Sequence, residues 1–146
     1  MAKPPRSGIG QSYFRRRALE LATPATRAMT EPLAVWAAKK IRLDGVPFRF
    51  EGHAYLKAIY DDTSPHLVLS KAAQIGGTTW AILRSFHACI QGLNVGYYFP
   101  TQTDVYDFSR SRVGPLLKDN PFLADRLQDT DTVGLKRIGE ANLYFR

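Results

Sequence analysis

Cysteine is almost absent from this chain of 146 residues, and so is any long apolar run. The single cysteine, Cys89, excludes an internal disulfide and is typical of a reducing compartment. No stretch approaches the roughly 18 apolar residues that a transmembrane helix needs. The sequence therefore argues against a secreted or membrane-spanning protein. Its 45% of hydrophobic and 23% of charged residues are typical of one folded domain.

Net charge is missing from the last two-thirds of the chain. Residues 51–146 contain ten Lys/Arg and ten Asp/Glu, whereas residues 1–50 contain ten Lys/Arg and three acids, which accounts for the whole net charge of +7. We expect a basic, flexible arm over residues 1–29, with a short helix that carries Arg15, Arg16 and Arg17. Such an arm indicates either a polyanionic partner, such as nucleic acid, or a solvated tail that maintains solubility.

Hydrophobic periodicity and turn residues divide the rest of the chain into short elements. Helices are predicted from Thr30 to the Asp44-Gly45 pair, at 53–60, 79–91 and 102–112, and after Asn120-Pro121. Gly114-Pro115 is expected to interrupt the helical stretch before it. Extended segments are predicted at 47–50, 66–70 and 94–99, and residues 132–146 alternate like a hairpin with Gly139 in its turn.

The order of elements from residue 66 to residue 99 is strand, glycine loop, helix, strand. This pattern is typical of a βαβ unit, so we predict an α/β fold with a parallel sheet, preceded by basic N-terminal helices. The strand at 66–70 is short and apolar, as expected of a buried parallel strand.

The loop between this strand and the helix has part of the chemistry of a phosphate-binding loop. Against the pattern G-x-x-x-x-G-K-[ST], it keeps Gly76 and Thr78 but has Lys71 in place of the first glycine and Gly77 in place of the lysine. Small residues still allow the backbone N–H groups to approach phosphates, and the long stem of Lys71 lets its ammonium reach back across the loop. The alternative is an ordinary turn whose glycines serve tight packing.

The wider context resembles a known family. LVLSKAAQIGGTTWAI and the later GYYFPTQTDVYDFSRSRVGPLLKDNPFL are similar to the ATPase core of terminase large subunits, the DNA-packaging motors of tailed phages. In one branch of that family the loop lysine is displaced to the start of the loop, as Lys71 is here. The resemblance covers about residues 30–146, and the matching positions are Pro100-Thr101, Phe108, Pro115-Leu116 and Asp119-Asn120-Pro121.

This resemblance implies an incomplete P-loop NTPase-like core at 66–146, behind a helical, adenine-side lead-in at 30–65. It implies ATP and Mg²⁺ as cofactors, with Thr78 near the metal and Tyr55 stacked on the adenine. The alternative for Tyr55 is a core aromatic on an amphipathic helix, and Leu56-Lys57 replace a glutamine that the family often has there. The nucleotide-binding residues that it implies are Lys71, Ala72, Ala73, Gln74, Gly76, Gly77, Thr78, Thr79 and Tyr55.

The resemblance also implies partners and a setting. These are double-stranded DNA, a terminase small subunit and a portal protein, in the cytoplasm of a bacterial host cell and away from any membrane. No apolar strand ending in Asp-Glu follows residue 99, so we expect the N-terminal portion of such a motor, without catalytic residues and with exposed sheet edges that favour self-association. The alternatives are a non-enzymatic DNA-binding or assembly module with a structural glycine loop, and a helicase fragment.

Overall fold

The computed structural model describes residues 31–64 and 66–146. The basic arm, with Arg15, Arg16 and Arg17, lies outside the described residues, so the predicted helix there is not part of this description. The described chain has mixed α/β architecture, as the element pattern predicts at the coarse level. Helices α1 (Leu33–Lys40), α2 (Ala54–Asp61) and α3 (Gly77–Ile90) precede strand β3 (Val95–Tyr97), and a small hairpin of β1 (Arg42–Leu43) and β2 (Val46–Pro47) follows α1.

A second helical stretch follows β3. It consists of α4 (Gln102–Phe108), a π-helical turn (Ser109–Val113), α5 (Gly114–Asp119) and α6 (Pro121–Ala124). Gly114-Pro115 does not interrupt it, contrary to the prediction. The Gly114 N–H bonds the carbonyl of Ser109, five residues back, and this wider turn accommodates a proline that cannot bond the carbonyl four residues back.

The main sheet has four strands in the order β3-β6-β5-β4, where β4 is Leu127–Thr132, β5 is Leu135–Ile138 and β6 is Ala141–Phe145. Strands β5 and β6 form the predicted hairpin, with Gly139 at a positive φ of 59° in its turn. Strand β3 confirms the predicted strand at 94–99 in shorter form and pairs in parallel with β6. The helical stretch at 102–124 belongs to the connection between these two parallel strands.

The predicted strand at 66–70 is wrong: in the structure this segment belongs to no helix or strand. Val68 is 95% exposed and Leu67 is 39% exposed, while Leu69 is half-buried beside Gly77. A strand needs a neighbouring backbone to hydrogen bond with, and the described sheet ends at β3 without reaching this segment. An apolar run signals a tendency to be buried, but it carries no information about whether a partner strand is available.

One hydrophobic core runs from α1 to β6. Its largest fully buried side chains come from α1, from α3, from α6 and from the sheet, among other segments; they include Trp36, Phe86, Leu83, Leu123 and Leu143. The predicted lead-in at 30–65 and the predicted core at 66–146 therefore share this core. None of the helices in the described ranges is both long and apolar enough to cross a bilayer.

The Asp44-Gly45 pair does not end the preceding helix, contrary to the prediction, and forms the turn of a hairpin instead. Both residues have positive φ angles, 51° and 76°, which form the kind of two-residue turn that hairpins favour, and they join β1 to β2. Helix α1 ends earlier, at Lys40, with Lys39 and Lys40 in its last turn, where cations suit the helix dipole.

Candidate functional site

The glycine loop leads directly into the N-terminus of α3. Gly76 is the N-cap at a φ of 81°, and Gln74 also has a positive φ, of 59°. The first intrahelical bond runs from the Trp80 N–H to the Gly76 carbonyl, at 3.0 Å. In any helix the earlier N–H groups, here those of Gly77, Thr78 and Thr79, have no intrahelical acceptor, and they mark the positive end of the helix dipole. The loop therefore presents donors that suit an anion.

The side chain of Lys71 lies across the start of this helix. A Cβ placed on Gly77 would stand 2.7 Å from the Lys71 Cδ and 3.2 Å from its Cε, so the stem of the lysine occupies the space that any larger residue at position 77 would need. Among the residues that the structure describes, Lys71 has no ion pair with a carboxylate. A cation at the positive end of a helix is unfavourable by itself, and an anion bound between them would relieve the repulsion.

Helix α2 covers the other side of the loop. The hydroxyl of Tyr55 donates to the Ile75 carbonyl at 3.4 Å, and the ring is 51% exposed. The buried residues of α2 are Leu56 and Tyr60, so the ring of Tyr55 lies beside the loop and outside the core. The Leu56 Cδ1 would stand 3.1 Å from a Cβ on Gly76, which explains a glycine there in addition to its positive φ.

The structure thus brings Tyr55, Lys71, Gly76 and Gly77 together. The remaining loop residues of the prediction, Ala72, Ala73 and Gln74, are exposed, while Thr78 and Thr79 are half-buried in the first turn of α3. In the described ranges no three His, Cys, Asp or Glu side chains cluster in a way that could hold a metal ion. A Mg²⁺ ion at this loop would therefore depend on phosphate oxygens together with a threonine hydroxyl.

A polar stripe on the otherwise apolar α3, formed by Arg84 and His87 and continued by Gln91 just after the helix, connects this helix to segments far away in the sequence. The Arg84 guanidinium donates to the Asp62 carbonyl at 3.0 Å and lies 5.4 Å from the centre of the Trp80 ring. The stripe is visible in the sequence, but its partners are not, because they are brought close only by tertiary packing. Beside it, a cavity of about 350 Å³ between α3 and β3 is lined by Trp80, Ala81, Arg84, Ser85, Ala88, Val95 and Tyr97.

His87, on the same stripe, is buried and makes structural contacts. Its Nε2 lies 2.9 Å from the Glu31 carbonyl, and its ring centre lies 5.2 Å from that of Trp36. Burial lowers the pKa of His87 below its usual value of 6.5, although the Glu31 carbonyl partly opposes this shift. The neutral imidazole therefore fits this position, donating from Nε2 to the carbonyl.

The chain was also compared with proteins that are already known. Neither protein-family models, nor curated proteins, nor solved structures gave a match.

Proposed function

We propose that this chain is the ATP-binding portion of a DNA-packaging motor that resembles the terminase large subunits. The observation that carries this proposal is the position of Lys71, whose stem crosses the first residue of α3. A displaced lysine can serve a phosphate-binding loop only if it folds back toward the helix N-terminus, and this stem does so.

In the proposed complex, the N–H groups at the start of α3 donate to phosphate oxygens, and the Lys71 ammonium neutralises part of their charge. The hydroxyl of Thr78 or Thr79 contributes a ligand to Mg²⁺, which neutralises further phosphate charge when it is bound. The half-exposed ring of Tyr55, held beside the loop by its bond to Ile75, offers a face for the adenine.

The second candidate is a module in which the glycine loop serves packing alone. It is favoured by the close contacts of Leu56 at Gly76 and of Lys71 and Leu69 at Gly77, because each of them explains a glycine without any ligand. The two candidates differ in what the charge of Lys71 does. In a packing role only the stem matters, whereas phosphate binding requires the ammonium.

The test is a comparison of Lys71→Met and Lys71→Arg with the wild type, measured by calorimetric titration of ATP with Mg²⁺. Methionine keeps an unbranched apolar stem and removes the charge, so we expect ATP affinity to fall at least about tenfold, as for the loss of a charge-assisted contact. The melting temperature should stay within about 2 °C, because surface substitutions change stability little. Lys118→Met, on α5, is the matched control and should bind ATP as the wild type does.

Two outcomes would contradict the proposal. Either the wild-type chain fails to bind ATP with Mg²⁺, or Lys71→Met binds it as tightly as the wild type does. The packing role gains support if Lys71→Ala, which removes the stem, lowers the melting temperature while Lys71→Met does not.

We further propose double-stranded DNA as the partner of the basic arm at 1–29, with a terminase small subunit and a portal protein as the other partners that the resemblance implies, in the cytoplasm of a bacterial host cell. The outer edge of β3 is unpaired within the described sheet, and an unpaired edge is a template for strand pairing. This edge is our proposed site for self-association.

A further inference from the structure

The two faces of the main sheet differ in what lies against them. Helix α3 lies on the side of the sheet that carries Val95 and Tyr97 of β3, with the cavity between them. On the same side, Phe108 at the end of α4 lies 4.9 Å from Tyr97 and 5.9 Å from Phe145, measured between ring centres. The residues that alternate with these along the strands point to the opposite face. The strand register places Leu135 and Arg137 of β5, Asn142 and Tyr144 of β6, and Gly96 of β3 on that face.

Tyr98, just beyond the end of β3, folds back onto this open face. Its ring atoms lie 2.9–3.3 Å from the position that a Cβ on Gly96 would take, so the ring lies beside this glycine, which remains exposed. The ring itself is 78% exposed. Gly96 is the register partner of Tyr144, so the two tyrosines occupy neighbouring strands of the same face. A glycine at this point of a strand lets an aromatic ring lie close to the sheet.

Two arginines lie on the same face as the rings of Tyr98 and Tyr144. The Arg146 guanidinium lies over the Tyr144 ring, 5.8 Å from its centre, and Arg137 is exposed on the neighbouring strand. The strand residues with described side chains include no acid on this face, and Glu140 stands in the turn between β5 and β6. The face therefore combines aromatic surface, exposed at Tyr98 and half-buried at Tyr144, with positive charge.

We propose that this open face, made of Tyr98, Tyr144, Arg137 and Arg146, binds single-stranded nucleic acid. Unpaired bases stack on exposed aromatic rings, while arginines pair with the phosphates that link them. In a duplex the faces of the bases are stacked inside the helix. Its phosphates can therefore pair with the arginines, but its bases cannot stack on the tyrosine rings. The site stands on different residues from the loop at α3 and does not depend on ATP binding there.

The experiment measures fluorescence anisotropy of the full chain with labelled oligo-dT, with oligo-U of the same length, and with a duplex of that length. We expect Tyr98→Ala to weaken single-strand binding at least about fivefold, which is the lower range for one stacked base, and to leave duplex binding unchanged. Tyr98→Phe keeps the ring and should bind as the wild type does. Tyr106→Ala, on α4 with a similarly exposed ring (50%), is the matched control and should have no effect.

Arg146→Gln should weaken binding of both single strands and reduce its salt dependence, since one phosphate contact is lost. If Tyr98→Ala loses affinity equally for oligo-dT and oligo-U, the site is a general single-strand site. If it loses affinity for only one of them, the site is assigned to DNA or to RNA. The proposal is overturned if Tyr98→Ala binds single strands like the wild type. It is also overturned if Tyr98→Ala alters only the sedimentation of the chain, because the face would then be a protein contact.

Discussion

The side-chain amide of Asn120 bonds both backbone groups of Arg42. Its Oδ1 accepts from the Arg42 N–H at 2.8 Å, and its Nδ2 donates to the Arg42 carbonyl at 2.8 Å and to the Leu116 carbonyl at 2.7 Å. The side chain of Asp119 accepts from the N–H of Gly45 at 3.1 Å. The bonds to Arg42 and Gly45 join the β1–β2 hairpin to the end of α5 across 78 and 74 residues of sequence, respectively.

Replacing Asn120 with alanine should destabilise the fold strongly. Asn120 is 1% exposed, and its loss leaves the N–H and carbonyl of Arg42 without their partners. We expect a loss of about 2–4 kcal/mol in the free energy of unfolding, measured by urea denaturation. Asn142→Ala, at a half-buried position of β6, should cost less than about 1 kcal/mol. Similar losses at both positions would mean that the amide of Asn120 contributes no more than an ordinary surface contact.

Gly77→Ala should separate stability from ligand binding. Alanine is favoured over glycine within a helix by roughly 1 kcal/mol, so stability should not fall if the ends of the Lys71 and Leu69 side chains, which both lie close to the added Cβ, move aside. That movement displaces the lysine from the helix N-terminus, and we expect ATP affinity to fall about tenfold or more. Thermal unfolding and calorimetric titration measure the two effects. A parallel change at Gly114, where φ is −56° and a Cβ would lie 3.6 Å from the Ser109 carbonyl oxygen, should leave ATP affinity unchanged.

His87 should make the fold sensitive to mild acid. Its pKa in the folded chain is lowered, chiefly by burial, so the folded state binds this proton less readily than the unfolded state does. The stabilisation is therefore complete above the unfolded value of 6.5 and is lost as the pH falls below it. Urea midpoints at about pH 7.5 and about pH 5.5 should differ more for the wild type than for His87→Gln, which cannot titrate. His66→Gln, at an exposed position, should keep the wild-type difference.

Removing the basic arm should flatten the salt dependence of duplex DNA binding. Residues 1–29 carry six Lys/Arg and one acid. Each phosphate contact that is lost should reduce the slope of log affinity against log salt by about 0.9. Changing Arg15, Arg16 and Arg17 together to glutamine should have part of this effect. The same change at Arg110, Arg112 and Lys118, in the helical stretch after β3, removes the same number of charges and should reduce the slope less. An unaltered slope after deletion would show that the arm does not contact DNA.

Local signals accounted for many elements of the fold. The Asn120-Pro121 start of α6, the hairpin around Gly139 and the periodic apolar residues of α3 are all short-range patterns, and the structure confirms each of them. The polar character of β4, with the sequence LQDTDT, carried no strand signal. It forms a strand because β5 offers it a hydrogen-bonding edge, which is a property of the sheet and not of the segment.

The candidate site also has features that follow from the local sequence and others that follow only from the tertiary structure. Its residue types, a lysine, two glycines and two threonines at the start of an amphipathic helix, were determined by the sequence alone, because backbone freedom and side-chain charge are local properties. Only the tertiary structure decided that Lys71 lies across Gly77, that Tyr55 reaches Ile75, and that residues 66–70 stay outside the sheet. Each of these depends on which distant segments pack together. That packing is set by the burial of a shared core, and a repeating pattern along the chain does not determine it.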